Sequence, residues 1–146
     1  MATPHLTSFV QSMFDEGILD SQFAQIQALQ DSNNPNFVHE VITLFCNDAE
    51  TIITEMNNYL SHSNVDFSTL DSRVHQLKGS SSSIGAKRLK LACVELHQAS
   101  DDKNKDRCLQ ALNIIAQEYF LLRNKFQTLI QLEKGISGVE TDNNQR

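Results

Sequence analysis

The sequence contains no tryptophan, only two prolines, and no hydrophobic run near the roughly 20 residues that a membrane-crossing helix needs. Its first residues, Met1 to His5, include no charged region followed by an apolar segment, so a secretory signal is not expected. The three cysteines, Cys46, Cys93 and Cys108, are odd in number and far apart, which argues against a disulfide framework. We therefore expect an intracellular protein without a membrane partner.

Clusters of positive charge are also missing. Lysine and arginine number 12 against 18 aspartates and glutamates, and the formal net charge is −6. A nucleic-acid surface requires clustered Lys and Arg, so no nucleic-acid partner is expected. None of the five histidines has another histidine at helical ligand spacing or lies in a Cys-His cluster, and no glycine-rich phosphate loop is present. We expect no metal site and no cofactor of the protein's own.

Helical periodicity is what the sequence has in abundance. Apolar residues recur at steps of three and four, and no stretch of useful length alternates as a strand does. Two short helices are predicted first, then four longer ones, of which the second runs from about Asp66 to Ser83 and the last from about Asp106 to Glu133. A near-heptad stripe marks the first of these four: Val38, Val41, Phe45, Ala49, Ile52, Met56 and Leu60.

The length and the 40% hydrophobic content favour a single domain with a sizeable core. We predict an all-α fold, an antiparallel four-helix bundle with two additional short N-terminal helices, over residues 1–135. After Gly135 the composition turns polar, and residues 136–146 are expected to form a disordered tail.

The most informative stretch surrounds His75. Leu70, Val74 and Leu77 mark a buried helix face, and at 100° per residue His75 lies about 130° away from its centre. Lys78 and Gly79 follow three and four residues later, beside His75 on the helix surface. Ser82 continues the same face, and Gln76 directly follows His75 in the sequence.

That surface suits phosphoryl chemistry. A histidine side chain has a typical pKa of about 6.5, so near neutral pH an imidazole nitrogen can attack a phosphoryl group. Lys78 could neutralise part of the added charge, and Gly79 would let another protein approach closely. The residues alone leave a second interpretation open, in which His75 and Lys78 are ordinary surface side chains and the serines after Gly79 form a loop.

The stretch from His75 to Ala86, HQLKGSSSSIGA, resembles the phosphorylation motif of plant histidine-containing phosphotransfer proteins. Similarity extends to residues 16–23, 34–38 and 117–119, and covers most of residues 6–133. The resemblance implies a helical bundle and a cytokinin-type multistep phosphorelay. His75 would accept a phosphoryl group from a receiver-domain aspartate of a sensor kinase and pass it to an aspartate of a response regulator.

The same resemblance implies that the receiver supplies magnesium and most catalytic groups, so this protein would be a carrier without turnover of its own. We expect a monomer in the cytoplasm and nucleus. Two other classes stay open: a helical adaptor that binds receivers without carrying phosphate, and an enzyme with a histidine general base, which would need a carboxylate or nucleophile partner in a concave pocket.

Two further surfaces are candidates for a role at the site, and the first lies on the second short helix. Phe23, Ile26 and Leu29 form an apolar stripe on the second short helix, flanked by Gln22 and Gln25; the stripe either packs on the bundle or belongs to a docking surface.

His97 occupies a position where relatives of the resembled family often carry a long basic residue. It lies off the apolar stripe of its helix, which should run antiparallel to the His75 helix after the reversal at Gly85. His97 is therefore expected beside the phosphorylation face, either supporting the phosphoryl group or without a role.

Overall fold

In a computed structural model that describes the backbone of residues 4–144 and the side chains of residues 5–134, the chain forms six helices. They are α1 (Pro4–Asp15), α2 (Ser21–Ala28), α3 (Phe37–Leu60), α4 (Phe67–Ile84), α5 (Lys87–Asp101) and α6 (Lys105–Asn144). Within these residues the only β-type pairings are two isolated bridges, so the predicted all-α class is confirmed.

The four long helices pack in a closed ring. α3 contacts α4, α4 contacts α5, α5 contacts α6, and α6 returns to α3. α1 lies on α6, and α2 lies on α4. This is the predicted four-helix bundle with two short helices added at its N-terminal end.

The core forms where the apolar stripes of the helices meet. In α4 the buried residues are Leu70, Val74, Leu77, Ser81 and Ile84. Cys93 and Cys108 are fully buried, and burial raises the pKa of the Cys93 thiol to about 12, as expected for small hydrophobes. The ring of Tyr119 is buried as well, and its hydroxyl donates to a Glu50 carboxylate oxygen at 2.7 Å and to the Cys46 carbonyl oxygen at 3.1 Å.

The reversal between α4 and α5 determines how these two helices face each other. Asp66 caps the start of α4 by accepting from the Thr69 amide, and Gly85 ends it in the left-handed conformation with φ +83°. The segment before α2 packs against this turn, because the Asp20 amide donates to the Gly85 carbonyl oxygen at 2.9 Å. The predicted reversal at Gly85 is therefore present.

The last helix ends later than predicted. Its backbone continues past Glu133 to Asn144, because no proline follows and a glycine weakens a helix by about 1 kcal/mol without ending it. The expected disorder of residues 136–146 stays a prediction, and Gln145 and Arg146 lie outside the described residues. None of the described helices is both long enough and apolar enough to cross a membrane.

Candidate functional site

His75 lies on the solvent-facing side of α4. Its neighbours Val74 and Leu77 are fully buried, and the helical rotation between successive residues carries the imidazole out of the core. The exposure predicted for His75 is therefore confirmed. Among the described residues, no hydrogen bond or ion pair joins His75 to a carboxylate.

An open groove of about 440 Å³ runs beside His75, between α3 and α4. α4 contributes His75, Gln76, Gly79, Ser80, Ser83 and Ile84, and α3 contributes Val41, Leu44, Phe45 and Asp48. Leu44 is 64% exposed, a large apolar side chain directed at water rather than the core. The predicted surface around His75 thus has a second wall in α3 that the sequence interpretation did not include.

Gly79 leaves the helix surface bare one turn after His75. A Cβ added at Gly79 would meet no atom within 4 Å, so the residue is not glycine because of crowding inside the protein. The open space faces the groove, where an incoming protein surface could reach the imidazole without meeting a side chain. This is the role that the sequence predicts for Gly79.

The polar residues beside His75 face in different directions. Gln76 is exposed and accepts from Arg73 at 2.8 Å, and Arg73 in turn pairs with Glu55 of α3 at 3.0 Å. Lys78 is half-buried, and its positive charge opposes the rise in the pKa of Cys93 on α5. The ammonium therefore acts on the α4–α5 side of the site. Ser82 is exposed on the same helix.

His97 of α5 lies against His75, as its position in the sequence predicted. The two rings are stacked, with centroids 5.9 Å apart and planes inclined by 12°. The Nδ1 atom of His97 is 2.7 Å from an Asp71 carboxylate oxygen, and its Nε2 atom is 3.5 Å from an Asp101 oxygen. Both edges of the His97 ring thus face carboxylates.

The surroundings of His97 favour its charged form. The hydrogen bond with Asp71 raises the pKa of His97 above its ordinary value of 6.5, while partial burial opposes the rise. The negative charges of Asp71 and Asp101 also raise this pKa, and the positive charge of Lys78 lowers it. The site therefore holds a second basic group next to the candidate acceptor.

Most of the apolar stripe on the short helix α2 packs on the bundle and is not a docking surface. Phe23 is fully buried and stacks on Phe126 with centroids 5.7 Å apart, and Ile26 is also buried, so this part of the stripe belongs to the core. Leu29 follows the last residue of α2 and is 61% exposed.

Gln22 and Gln25 are exposed. Phe23 lies at the Gly85 end of α4, about 15 Å along the helix axis from His75. The predicted docking role of the two glutamines is neither supported nor contradicted by any contact with His75.

Asp71, His97 and Asp101 each place one ligand-type atom within 4.8 Å of the others. These three side chains could serve as ligands of a metal ion, although Asp71 and His97 are already joined to each other by a hydrogen bond. Sequence reasoning missed Asp71, which reaches His97 from α4, and also Asp101, which lies on α5 with His97. The available signal was spacing: Asp71 precedes His75 by one helical turn, and Asp101 follows His97 by one turn.

Comparison with known proteins gives consistent results. Residues 40–135 match the family model described as Hpt domain. Histidine-containing phosphotransfer protein 1 from rice is 48% identical over 92% of this chain and 91% of its own length. The protein of the same name from Arabidopsis thaliana is 47% identical over 90% of this chain and 85% of its own. The crystal structure of a maize histidine-containing phosphotransfer protein, 49% identical, superimposes with a TM-score of 0.87 over 90% of this chain and 96% of that one.

Proposed function

Because the chain belongs to the Hpt-domain family of histidine-containing phosphotransfer proteins, phosphorelay intermediates of two-component signalling, we propose that His75 carries the phosphoryl group. One observation carries this assignment: His75 is exposed beside the bare helix surface at Gly79. A receiver domain must bring its aspartyl phosphate to the acceptor nitrogen within about 3–3.5 Å, and bulky neighbours would prevent that approach.

The proposed reaction is a transfer between two side chains. The unprotonated nitrogen of the His75 imidazole attacks phosphorus, the bond from phosphorus to the aspartate oxygen breaks, and the electron pair leaves with the aspartate carboxylate. The other ring nitrogen keeps its proton during the attack. Transfer to a response regulator is the reverse reaction with a different aspartate. Positioning and charge stabilisation carry such a transfer.

This chain supplies the nucleophile and part of the charge. Lys78, one turn from His75, and the basic His97 place positive charge near the transferred group. Gln76 and Ser82 are exposed donors on the same helix surface and are candidates for contact with the phosphoryl oxygens or the receiver. The receiver would supply magnesium and most catalytic groups, which leaves this protein as a carrier without turnover of its own.

The α3–α4 groove is the proposed docking surface for receiver domains of sensor kinases and response regulators. The apolar side chain of Leu44 and the bare surface at Gly79 lie on either side of it, so a receiver seated there would cover both and place its aspartate at His75. Gln22 and Gln25 would extend this surface if the receiver is wide enough to reach α2.

The plant relatives and the composition support a proposal for the setting of the relay. We place the protein in a cytokinin-type multistep phosphorelay, as a monomer in the cytoplasm and nucleus. The acidic net charge of −6 supports the absence of nucleic-acid partners. A protein partner with charged catalytic groups and a magnesium ion is compatible with the same acidic surface.

The acceptor assignment is tested by labelling. A purified receiver domain is phosphorylated with radiolabelled acetyl phosphate, freed of the donor and mixed with the wild type, with His75→Gln and with His62→Gln. His62 is an exposed histidine outside the site and serves as the matched control. We expect acid-labile phosphate on the wild type and on His62→Gln, and none on His75→Gln.

Labelling of His75→Gln at the wild-type level would refute the assignment. If the wild type binds the receiver but takes up no label, the protein would be an adaptor instead of a carrier. Binding is measured separately by titration calorimetry, so the two outcomes are distinguished.

A further inference from the structure

The Asp71–His97 pair connects two helices directly beside the candidate acceptor. Asp71 is one helical turn before His75 on α4, so both side chains project from the same side of that helix. His97 extends from α5, and its Nδ1 atom lies 2.7 Å from an Asp71 carboxylate oxygen while its ring stacks on that of His75. One ring thus contacts both α4 residues.

Two contacts restrict the orientation of the His97 ring. A rotation of the ring about its own bond would break the 2.7 Å contact of Nδ1 with Asp71 and the 3.5 Å approach of Nε2 to Asp101. A centroid distance of 5.9 Å at a small interplanar angle is an offset stack, in which the two rings limit each other's rotation. The side chain of His97 is 36% exposed, so the pair is partly shielded from water.

We infer that Asp71 and His97 are positioning residues for phosphotransfer, because they hold one imidazole ring in a fixed plane against His75 and so restrict the orientation of the acceptor ring. An acceptor ring that is already oriented loses less conformational entropy on reaching the transition state, and this lowers the barrier to transfer. This inference rests on the proposed function of His75. The sequence suggests His97 as a hydrogen-bond donor or a positive charge for the phosphoryl group, and it does not point to Asp71.

Both contacts of the His97 ring are at full strength only when both of its nitrogens carry protons, because Nδ1 then donates to Asp71 and the positive charge attracts Asp101, whose oxygen is 3.5 Å from Nε2. The charged groups that face His97 are Asp71 and Lys78 on α4 and Asp101 on its own helix, and the titratable ring of His75 stacks on it. The effect of His97 should be fully present below pH 6.5, its ordinary pKa, and should fade as pH rises through the raised value in the fold.

The test compares Asp71→Ala, Asp71→Asn and His97→Gln with the wild type. Asp71→Ala removes the hydrogen-bond acceptor, whereas Asp71→Asn keeps an oxygen that can accept from Nδ1. We expect Asp71→Ala and His97→Gln to slow transfer from a phosphorylated receiver by roughly threefold to tenfold, and Asp71→Asn to recover part of the loss. Asp102→Asn, which breaks an exposed pair with Arg107 outside the site, should leave the rate unchanged.

A second measurement reads the orientation of His75 without phosphate. The ring-proton NMR signals of His75 should shift in Asp71→Ala and His97→Gln, because the stacked ring no longer shields them, and should not shift in Asp102→Asn. The ratio of wild-type to His97→Gln rates, measured from about pH 5.5 to 8.5, should decline with rising pH. Taking this ratio cancels the titration of the receiver.

The inference is overturned if Asp71→Ala transfers at the wild-type rate, or if transfer slows while the His75 signals stay in place. Failure of the proposed function looks different, since the wild type itself would then take up no label. Circular dichroism melting of each variant shows whether the fold is retained, and Asp71→Asn provides a conservative variant if Asp71→Ala unfolds.

Discussion

At the scale of the residue, glycine at position 79 lowers the stability of α4 but leaves space for a partner to dock beside His75. Its added Cβ would lie in open space, and glycine inside a helix costs about 1 kcal/mol relative to alanine. We expect Gly79→Ala to leave the helix intact and to raise the free energy of unfolding by up to about 1 kcal/mol, measured by urea denaturation. Gly79→Gln should keep the fold and slow transfer sharply, because its side chain would project into the space beside His75.

The control for Gly79→Gln is Ser68→Gln, which adds similar bulk at an exposed position of α4 about two turns before His75. It should slow transfer less, because Ser68 does not line the groove with His75. A Gly79→Gln protein that receives phosphate at the wild-type rate would contradict the close-approach argument.

The residue-scale features that sequence predicted are those that depend on a single helix. The exposure of His75 and its neighbours Lys78 and Gly79 follows from rotation about one axis, and the structure agrees with it. Spacing along one helix could have indicated Asp101 as a neighbour of His97, but not Asp71, because Asp71 reaches His97 from another helix. Contacts of this kind depend on the relative height and rotation of two helices, which periodicity leaves undetermined.

At the scale of the element, the turn between α4 and α5 is the least tolerant connection. Gly85 has φ +83°, and a Cβ added there would lie 2.5 Å from the Phe23 amide nitrogen and 2.8 Å from an Asp20 carboxylate oxygen. Gly85→Ala must therefore move α2 as well as adopt a left-handed backbone. We expect it to lower the free energy of unfolding by about 2–4 kcal/mol, measured by urea denaturation.

Gly17→Ala is the matched control for Gly85→Ala. Gly17 also has a positive φ, +73°, but no atom lies within 4 Å of its would-be Cβ. Only the backbone conformation is strained there, so the loss should be about 1–2 kcal/mol. Equal losses for the two variants would show that the contact with Phe23 does not constrain Gly85.

Helix positions were predictable from the sequence, whereas the ends of helices were less so. α4 begins and ends within a residue of its predicted bounds, because Asp66 and Gly85 give recognisable capping signals. α6 runs on to Asn144, because Gly135 follows its predicted end without a proline and does not stop the helix. The sequence predicts Leu29 in the apolar stripe of α2, yet Leu29 follows the end of that short helix and is exposed.

At the scale of the whole molecule, the order of helices around the bundle creates a surface that no single helix contains. Periodicity predicts which face of α3 and α4 is buried, and short connections predict antiparallel neighbours. The groove arises only because α3 packs beside α4 and brings Leu44 alongside Gly79. The available signal was Leu44 itself, a large apolar residue outside the stripe of α3.

The groove leads to a prediction about docking. Leu44 is 64% exposed and contributes little to the core, so Leu44→Ala should change the free energy of unfolding by no more than about 0.5 kcal/mol. In a receiver complex the same side chain would be covered, and its truncation should weaken receiver binding by roughly fivefold to thirtyfold, the range for an apolar contact at an interface. Titration calorimetry with a receiver domain measures this directly.

Leu109→Ala is the matched control, since Leu109 is another exposed leucine but belongs to α6 and does not line the groove. It should bind the receiver with wild-type affinity. Equal affinity of Leu44→Ala and the wild type would place docking elsewhere, and α2 would be the next surface to examine through Gln22 and Gln25. Weaker binding with an unchanged transfer rate at saturating receiver would instead mean that Leu44 contributes to binding alone, because the truncation then leaves the geometry at His75 intact once the complex has formed.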